Sequence, residues 1–488
     1  MLPYLFAKKN RVLLTEEPGG GKLYVTSNTP DHIFSEINRK YKKHFPHERI
    51  DNAQFEVLLH SAYEAYSVSA HTSAAAAEQH ADITRLGDEI ASIADDLLDD
   101  SGNSPIIKFI NAIISDAIKS SASDIHIESY ESRLAIRYRI DGILKTVAEP
   151  KPQLAPMLIS RLKVMAKLDI AEKRVPQDGR ISLRLANREV DIRVSTLPAT
   201  TFERTVLRIL DKSQGLLDLQ HIGIHKDQID LIQSLLKTPH GILLITGPTG
   251  SGKSTTLYAC LNSIKDDTRN ILAVEDPVEY QVDGIGQTQV NEKSGLTFAR
   301  GLRAILRQDP DVIMVGEIRD AETLDIAIQA GLTGHMVLST LHTNSTLGAI
   351  TRMLDMGAEA YLIGSSLVGV VAQRLVRRLC QNCRTSPDDA FIIQSRIKYQ
   401  FEFSALYEAC GCEQCQFTGY KGRLALIEVL PIDRQLRKAI AQQQSEEELR
   451  LYVGKNYLSL LHDGFRKVSS GDTSLDEVLR VTQRSVDI

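Results

Sequence analysis

Eight consecutive residues, Gly247-Pro248-Thr249-Gly250-Ser251-Gly252-Lys253-Ser254, place glycine at positions one and six and a lysine–serine pair at seven and eight. Glycines at that spacing let backbone N–H groups turn inward around a phosphate, and the lysine ammonium can bridge the β- and γ-phosphates of a nucleoside triphosphate. The flanks suit this chemistry. An apolar run at 241–246 leads in and a helix-forming stretch at 254–263 leads out, so the loop opens a helix whose N-terminus adds partial positive charge. The expected nucleotide set is Gly247, Pro248, Thr249, Gly250, Ser251, Gly252, Lys253, Ser254 and Thr255. ATP is the expected nucleotide, with the Ser254 hydroxyl holding Mg²⁺.

Carboxylates follow the later apolar runs. Glu275 and Glu279 come after 271–274, Glu317 after 312–315, and His342 after 336–338, with His335 at the start of that last run. In an open α/β sheet, ligands bind at the carboxyl ends of the strands. Glu317 is therefore a candidate for orienting the attacking water or holding the cation, with Glu275 and Glu279 beside it. Either histidine alone reads as a packed residue; the pair, seven residues apart in one cleft-facing segment, is a candidate for the site. A second kind of chemistry is carried by Cys380-Gln381-Asn382-Cys383 and Cys412-Glu413-Gln414-Cys415, two CxxC knuckles 28 residues apart. Four thiolates at this spacing make a closed, structural Zn²⁺ site. Cys410 competes with Cys412, although only Cys412 completes a CxxC with Cys415. Cys260 is expected to be a buried small residue.

These groups need a scaffold. The 488 residues predict about three or four domains. Short β-branched runs from 241 onward, each followed by a helical stretch, indicate a buried parallel sheet and an α/β domain over 213–375. Upstream, 105–212 reads as α+β: an apolar helical stripe (Ile106, Ile110, Ile113, Ile114, Ala117), then alternation in Ile125/Ile127, Leu134/Ile136/Tyr138/Ile140, Ile181/Leu183/Leu185 and Val190/Ile192/Val194, with an Asp141-Gly142 hairpin turn. Its outward strand positions are rich in arginine. Residues 1–81 read as a small mixed domain without catalytic signature, and Pro18-Gly19-Gly20-Gly21 as a hairpin loop. Residues 82–104 hold seven acidic side chains against Arg85 and read as an extended linker, though the first half equally fits a solvated helix face. The zinc knuckles occupy 376–418, and 419–488 is expected to be helical. The run Arg374-Leu375-Val376-Arg377-Arg378 suggests either a basic lip or, preferably, a subunit-interface helix.

Composition narrows the function. With 57 basic and 62 acidic side chains the net charge is −5, which argues against wholesale coating of nucleic acid. No window approaches an uninterrupted apolar span of about 18 residues, and Leu5-Phe6-Ala7 runs into Lys8-Lys9 too early for a signal peptide. A cytosolic location is expected, and six cysteines fit a reducing compartment.

The phosphate loop, Val274-Glu275-Asp276-Pro277, the stretch 309–320 ending Gly316-Glu317-Ile318-Arg319-Asp320, and Gly334-His335 with Leu341-His342-Thr343 occur in one order. Together with Ala122-Ser123-Asp124-Ile125-His126-Ile127-Glu128 and Arg174-Val175-Pro176-Gln177-Asp178-Gly179-Arg180, that order resembles the secretion ATPases of the type II/type IV pilus superfamily, nearest its type II secretion branch. The likeness covers about 105–485. It implies a RecA-like P-loop motor domain in a homohexameric ring, with ATP, Mg²⁺ and Zn²⁺. Glu317 takes the catalytic place of the usual aspartate. Arg193 and Arg208 of the preceding domain reach the γ-phosphate across the hinge 210–239, and Arg303 and Arg307 lie near the nucleotide or the ring interface. The resemblance further implies a site peripheral to the cytoplasmic face of a bacterial inner membrane, reached through the L and F platform proteins, with residues 1–81 as the docking domain and no nucleic acid as partner. A type IV pilus extension motor, a RecA-like nucleic-acid translocase and a non-catalytic nucleotide-gated scaffold are the competing functions.

Overall fold

The computed structural model describes residues 105–185, 188–211, 218–454 and 457–482, and of the first hundred residues 11–17, 20–26, 45–52 and positions 29, 33, 37, 54, 55, 58, 83 and 84. The chain divides into two compact units, Met1–Asp96 and Leu97–Ile488. Apart from Ile83 and Thr84, the acidic stretch 82–104 lies outside the described residues, as does Gly215.

In the first unit, β1 (Val12–Glu17) and β2 (Gly20–Val25) pair antiparallel with Glu17 opposite Gly20; Gly20 and Gly21, expected in a hairpin loop, belong to β2, and Pro18 and Gly19 lie outside the described residues. Strand β3 (His47–Arg49) joins β2 in parallel. Val12, Leu13, Leu23, Val25, Ile37 and Phe55 form its core.

The second unit opens with helix α1 (Pro105–Lys119) and strands β4 (Ala122–Ser129), β5 (Leu134–Ile140) and β6 (Ile143–Ala148), then α2 (Ala155–Met165) and strands β7 (Gln177–Leu185), β8 (Arg188–Leu197) and β9 (Arg204–Asp211). The six strands form one sheet in the order β6-β5-β4-β9-β8-β7, with every pairing antiparallel. One face buries the apolar alternants against α1, whose stripe Ile106, Ile110, Ile113, Ile114 is buried. Tyr138 is fully buried there, and its hydroxyl donates to the Ile113 carbonyl at 2.8 Å. The opposite face sets Asp124, His126 and Glu128 between Arg137 and Arg139 on one side and Arg204 and Arg208 on the other, as the alternation predicts.

Next come α3 (Lys226–Leu236), β10 (Gly241–Thr246), α4 (Lys253–Ile264), β11 (Ile271–Glu275), β12 (Gly286–Gln289), α5 (Phe298–Ile305), β13 (Val312–Val315), α6 (Ala321–Leu332) and β14 (Met336–Leu341). They are followed by α7 (Thr346–Asp355), α8 (Ala360–Ser366), β15 (Leu367–Leu379), α9 (Asp389–Tyr399), β16 (Tyr420–Pro431), α10 (Arg434–Ala441), α11 (Glu446–Leu451), α12 (Leu460–Ser469) and α13 (Leu475–Thr482). Seven strands make a sheet in the order β12-β11-β13-β14-β10-β15-β16, parallel except for β16. Its strands are apolar on both faces because both faces are covered. Ile242 and Leu244 of β10 join the core beneath α5, α6 and α7, while Leu243 and Ile245 join the core beneath α3 and α4.

The sheet corrects the reading of the last third. β15 and β16 pair along most of their length, from Gly369 opposite Pro431 to Leu379 opposite Tyr420. The boundary set at 375 therefore falls inside a strand, and 419–488 begins with the strand that completes the seven-stranded sheet rather than with a separate helical region. The run 374–378 is the second half of β15 rather than a helix, with Arg374 buried and Arg378 exposed.

Candidate active site

Strand β10 and helix α4 put the phosphate loop at the carboxyl end of the parallel sheet. Gly247, Gly250 and Gly252 take φ values of 154°, 79° and 85°, and a Cβ on Gly247 would lie 2.5 Å from the Gln373 carbonyl oxygen. Both the turn and the close approach therefore require glycine. Lys253 is the first residue of α4, and its ammonium donates to the carbonyls of Gly247 at 2.8 Å and Pro248 at 3.1 Å. Burial pushes its pKa down to about 8; the Glu317 carboxylate opposes the shift and Arg374 adds to it. The Ser251 hydroxyl is buried without a hydrogen-bond partner among the described residues. An orphaned donor inside a ring of backbone N–H groups fits an anion. Ser254 is exposed on the first turn of α4, where a hydroxyl can meet a cation held by phosphates.

His342 and Glu317 stand next to the lysine. His342 Nδ1 is 3.5 Å from the Lys253 ammonium, and His342 Nε2 is 3.5 Å from a Glu317 carboxylate oxygen. Burial, and then the lysine charge, hold the imidazole below its usual pKa. Arg319 pairs with the other oxygen of Glu317. Lysine, histidine and glutamate from three parallel strand ends thus form one line. His335 does not join it: its carbonyl accepts from Gly241 N–H at the opposite end of β10, and its ring turns to Ala330 O at 3.1 Å. Seven residues carry the chain the length of β14, so the two histidines flank one strand at opposite ends and do not share a site.

Glu275 ends β11 and is buried, accepting from the Tyr258 hydroxyl and from Gln287 Nε2 at 2.9 Å. Glu279 pairs with Arg193 of the α+β domain at 2.9 Å. Arg208, opposite Arg193 in the strand register, is half-exposed and pairs with Asp124 of its own sheet at 2.9 Å. Arg303 pairs with Glu322 at 2.6 Å, and Arg307 donates to the Arg303 carbonyl, so both stay on the α5–α6 surface. A cavity of about 400 Å³ lies against Gly252, Thr255 and Thr256, walled by Ile222, Tyr280 and Leu424, with Asp141 of the α+β domain at its rim. A second, of about 740 Å³, borders Pro248–Ser251 and Arg374, Arg377, Arg423 and Arg480.

Gln373 escaped the sequence reading. From β15 it donates to the Ser251 carbonyl at 2.8 Å and accepts from Thr256 at 2.6 Å, clamping the phosphate loop to the first turns of α4. Without strand β15 in view, no local signal marks it.

The knuckle sulfurs of Cys380, Cys383, Cys412 and Cys415 all lie within 4.8 Å of one another. The Cys380–Cys412, Cys383–Cys415 and Cys412–Cys415 separations are each 3.8 Å, and a tetrahedron with Zn–S bonds of about 2.3 Å has edges of about 3.8 Å. Backbone N–H groups of Gly411 and Gly419 donate to the sulfurs of Cys383 and Cys415, which suits thiolates. Cys410 is exposed and outside the cluster, and Cys260 is buried in the core of the seven-stranded sheet.

Comparison with known proteins extends these findings. The type II/IV secretion system protein family matches residues 99–480, and the N-terminal domain of GSPII protein E matches residues 1–63. The type II secretion system protein E of Aeromonas hydrophila is 49% identical over 99% of this chain and 96% of its own length. The type II secretion system ATPase E of Vibrio cholerae is 48% identical, covering 99% of this chain and 97% of its own. Among solved structures, the pilus retraction motor PilT with bound ADP superposes with a TM-score of 0.52 at 25% identity, covering 76% of this chain and 95% of its own. The Legionella pneumophila ATPase DotB reaches 0.58 at 22% identity, over 77% and 96%, which speaks to the shared α/β fold. Matched over most of its length by the family and nearly end to end by such relatives, the chain belongs to the type II/IV secretion system protein family, in its type II E-protein branch.

Proposed function

We propose that this chain is the cytoplasmic motor ATPase of a type II secretion system, working as a homohexamer that converts ATP and water to ADP and phosphate. Its turnover drives pseudopilus assembly at the inner membrane, reached through the L and F platform proteins, with residues 1–81 as the docking domain. The observation that carries the reading is the line Lys253–His342–Glu317 beside the buried, unpartnered Ser251 hydroxyl. Residues 247–252 would wrap the β-phosphate and Lys253 would meet the outer phosphates. Glu317 would orient the attacking water and accept its proton, and His342 would keep that carboxylate in place. Mg²⁺, held through Ser254, would supply charge neutralisation on the phosphates. Arg193 and Arg208 would supply charge from the α+β domain, and a guanidinium at a transferring phosphoryl group is worth on the order of 10³–10⁵ in rate. Zn²⁺ on Cys380, Cys383, Cys412 and Cys415 would close the loop between β15 and β16 without entering the chemistry.

The test is phosphate release by the purified full-length chain, with secretion measured in cells whose own E gene is deleted. Lys253→Ala is expected to abolish both with the fold intact. Glu317→Gln should still bind ATP and turn over at least about a hundredfold more slowly, since the amide keeps the shape and loses the base. Wild-type hydrolysis in Lys253→Ala would overturn the assignment. Loss of ATP binding as the only defect of Glu317→Gln would remove that residue from the chemical step.

A further inference from the structure

The structure assigns a positioning role to Gln287 on the edge strand β12: together with Tyr258 it holds Glu275 and sets the 276–282 loop so that Glu279 meets Arg193. The inference rests on the ATPase reading above and turns on Gln287 and Tyr258, which no sequence motif marked.

The Gln287 amide is used at both ends. Its Oε1 accepts from Val282 N–H at 2.8 Å, while its Nε2 donates to the Tyr280 carbonyl at 2.8 Å and to Glu275 Oε1 at 2.9 Å. A flipped amide would point its oxygen at a carbonyl and a carboxylate, so the orientation is fixed by its surroundings. One side chain therefore ties the far end of the loop, at residues 280 and 282, to the carboxylate at its near end. The other Glu275 oxygen accepts from Tyr258. Tyr258 belongs to α4, the helix the phosphate loop opens, and its ring meets Tyr280 edge-on at 5.9 Å. Glu275 is thus a buried carboxylate with a donor on each oxygen, as burial of a charge demands.

Glu279 lies inside the loop held this way, and it carries the ion pair to Arg193 of the α+β domain at 2.9 Å, with a second contact at 3.4 Å. The chain of contacts runs from α4 through Tyr258, Glu275 and Gln287 to the loop, Glu279 and Arg193. Edge strand β12 pairs with β11 over four residues, and while Val282 and Ile285 anchor the loop's end in the core, Gln287 is the side chain that joins that end to Glu275. The Glu275 carboxyl is held above its usual range by burial, against the opposing pull of the Tyr258 and Gln287 hydrogen bonds. Removing either donor should raise it further.

Steady-state hydrolysis by the full-length chain tests this with Gln287→Ala, Tyr258→Phe, Arg193→Ala and the Gln287/Arg193 double variant. Gln287→Ala is expected to lower kcat about ten- to a hundredfold, the scale of one hydrogen bond to a charged group, with KM for ATP within about twofold. Tyr258→Phe should lower kcat in the same direction, and in both variants the acid limb of the kcat–pH profile should move to higher pH. The double variant should lie within about twofold of Arg193→Ala alone, because the two changes break one chain of contacts. Multiplying effects, an unmoved acid limb or a rise in KM alone would overturn the inference. If Gln287→Ala lowers the melting temperature enough to empty the folded state, Tyr258→Phe, which removes one oxygen from a helix, decides by the same readouts. A wild-type chain without hydrolysis would instead defeat the ATPase reading itself, whereas wild-type turnover with an indifferent Gln287→Ala would defeat this inference alone.

Discussion

At the scale of single residues, Lys253 is a functional group placed at a cost to the fold. Its ammonium is buried, and burial brings its pKa to about 8, against roughly 10.4 in an unfolded chain. Between those values the unfolded chain holds a proton that the folded chain has shed, so stability rises with pH across the window. Below about pH 8 both states are charged and the desolvation cost is present in full. Lys253→Met is therefore expected to melt higher than the parent at pH 7, with the gap closing toward pH 10; a parent that melts higher at pH 7 would contradict the assignment. Nucleotide binding carries the opposite sign. The phosphates need the charged ammonium, so KM for ATP should climb as the pH passes about 8, and Lys253→Arg should push that limb upward. A KM that stays flat from pH 7 to 10 would show that the charge lies elsewhere.

At the scale of elements, the four-cysteine cluster, with zinc bound as proposed, would staple two strands. Cys380 follows the last residue of β15, and Cys415 lies five residues before the start of β16. Six residues upstream of Leu379, β15 carries Gln373, which clamps the phosphate loop. Replacing Cys380 with serine leaves three thiolates and frees the strand ends. The expected outcome is about one Zn per chain in the parent and little in Cys380→Ser or Cys415→Ser. Melting should fall by on the order of 5–10 °C while ATP binding persists. Unchanged metal content in the variants would exclude these cysteines as ligands. The cluster was readable from the sequence because its chemistry is local: two CxxC pairs with a workable spacing. So were the phosphate loop, the Glu317 segment and the apolar strands beside them, since each signal fits within about ten residues. β15 and β16 were not. Arg374, Arg377 and Arg378 gave a basic appearance to a strand whose arginines find distant partners: Arg377 pairs with Glu477 at 2.8 Å, and Arg374 donates to the Asn344 carbonyl at 2.8 Å. Partners some 30 to 100 residues away leave no trace in a local window. The same holds for Gln287 and Gln373, whose importance depends on which strand lies beside which, and for His335, whose distance from His342 follows from strand direction alone.

At the scale of the whole second unit, the α+β domain meets the motor through few polar links. Asp141, in the β5–β6 turn with φ of 48°, accepts from Gly422 N–H at 2.9 Å and faces Arg423 at 3.6 Å. Arg193 meets Glu279 at 2.9 Å. Partly exposed pairs of this kind contribute about 0–1 kcal/mol each, so the docked arrangement is held by a small free energy and a change of about 1.4 kcal/mol moves its population tenfold. The two links differ in kind. Asp141 only docks, whereas Arg193 and its cross-strand neighbour Arg208 are, under the proposed function, also the arginines that would supply positive charge to the nucleotide. Asp141→Gly suits the left-handed turn and removes both docking contacts. It should lower specific activity in dilute protein about threefold to tenfold, and the loss should shrink as concentration rises and ring formation holds the domains together. Arg193→Ala and Arg208→Ala should be slow at every concentration, because assembly restores the docking but not the charge. Specific activity measured from nanomolar to micromolar chain separates the two. If Asp141→Gly stays slow in the assembled ring, or Arg193→Ala is rescued there, then closure and charge supply are not divided between these residues as the geometry indicates.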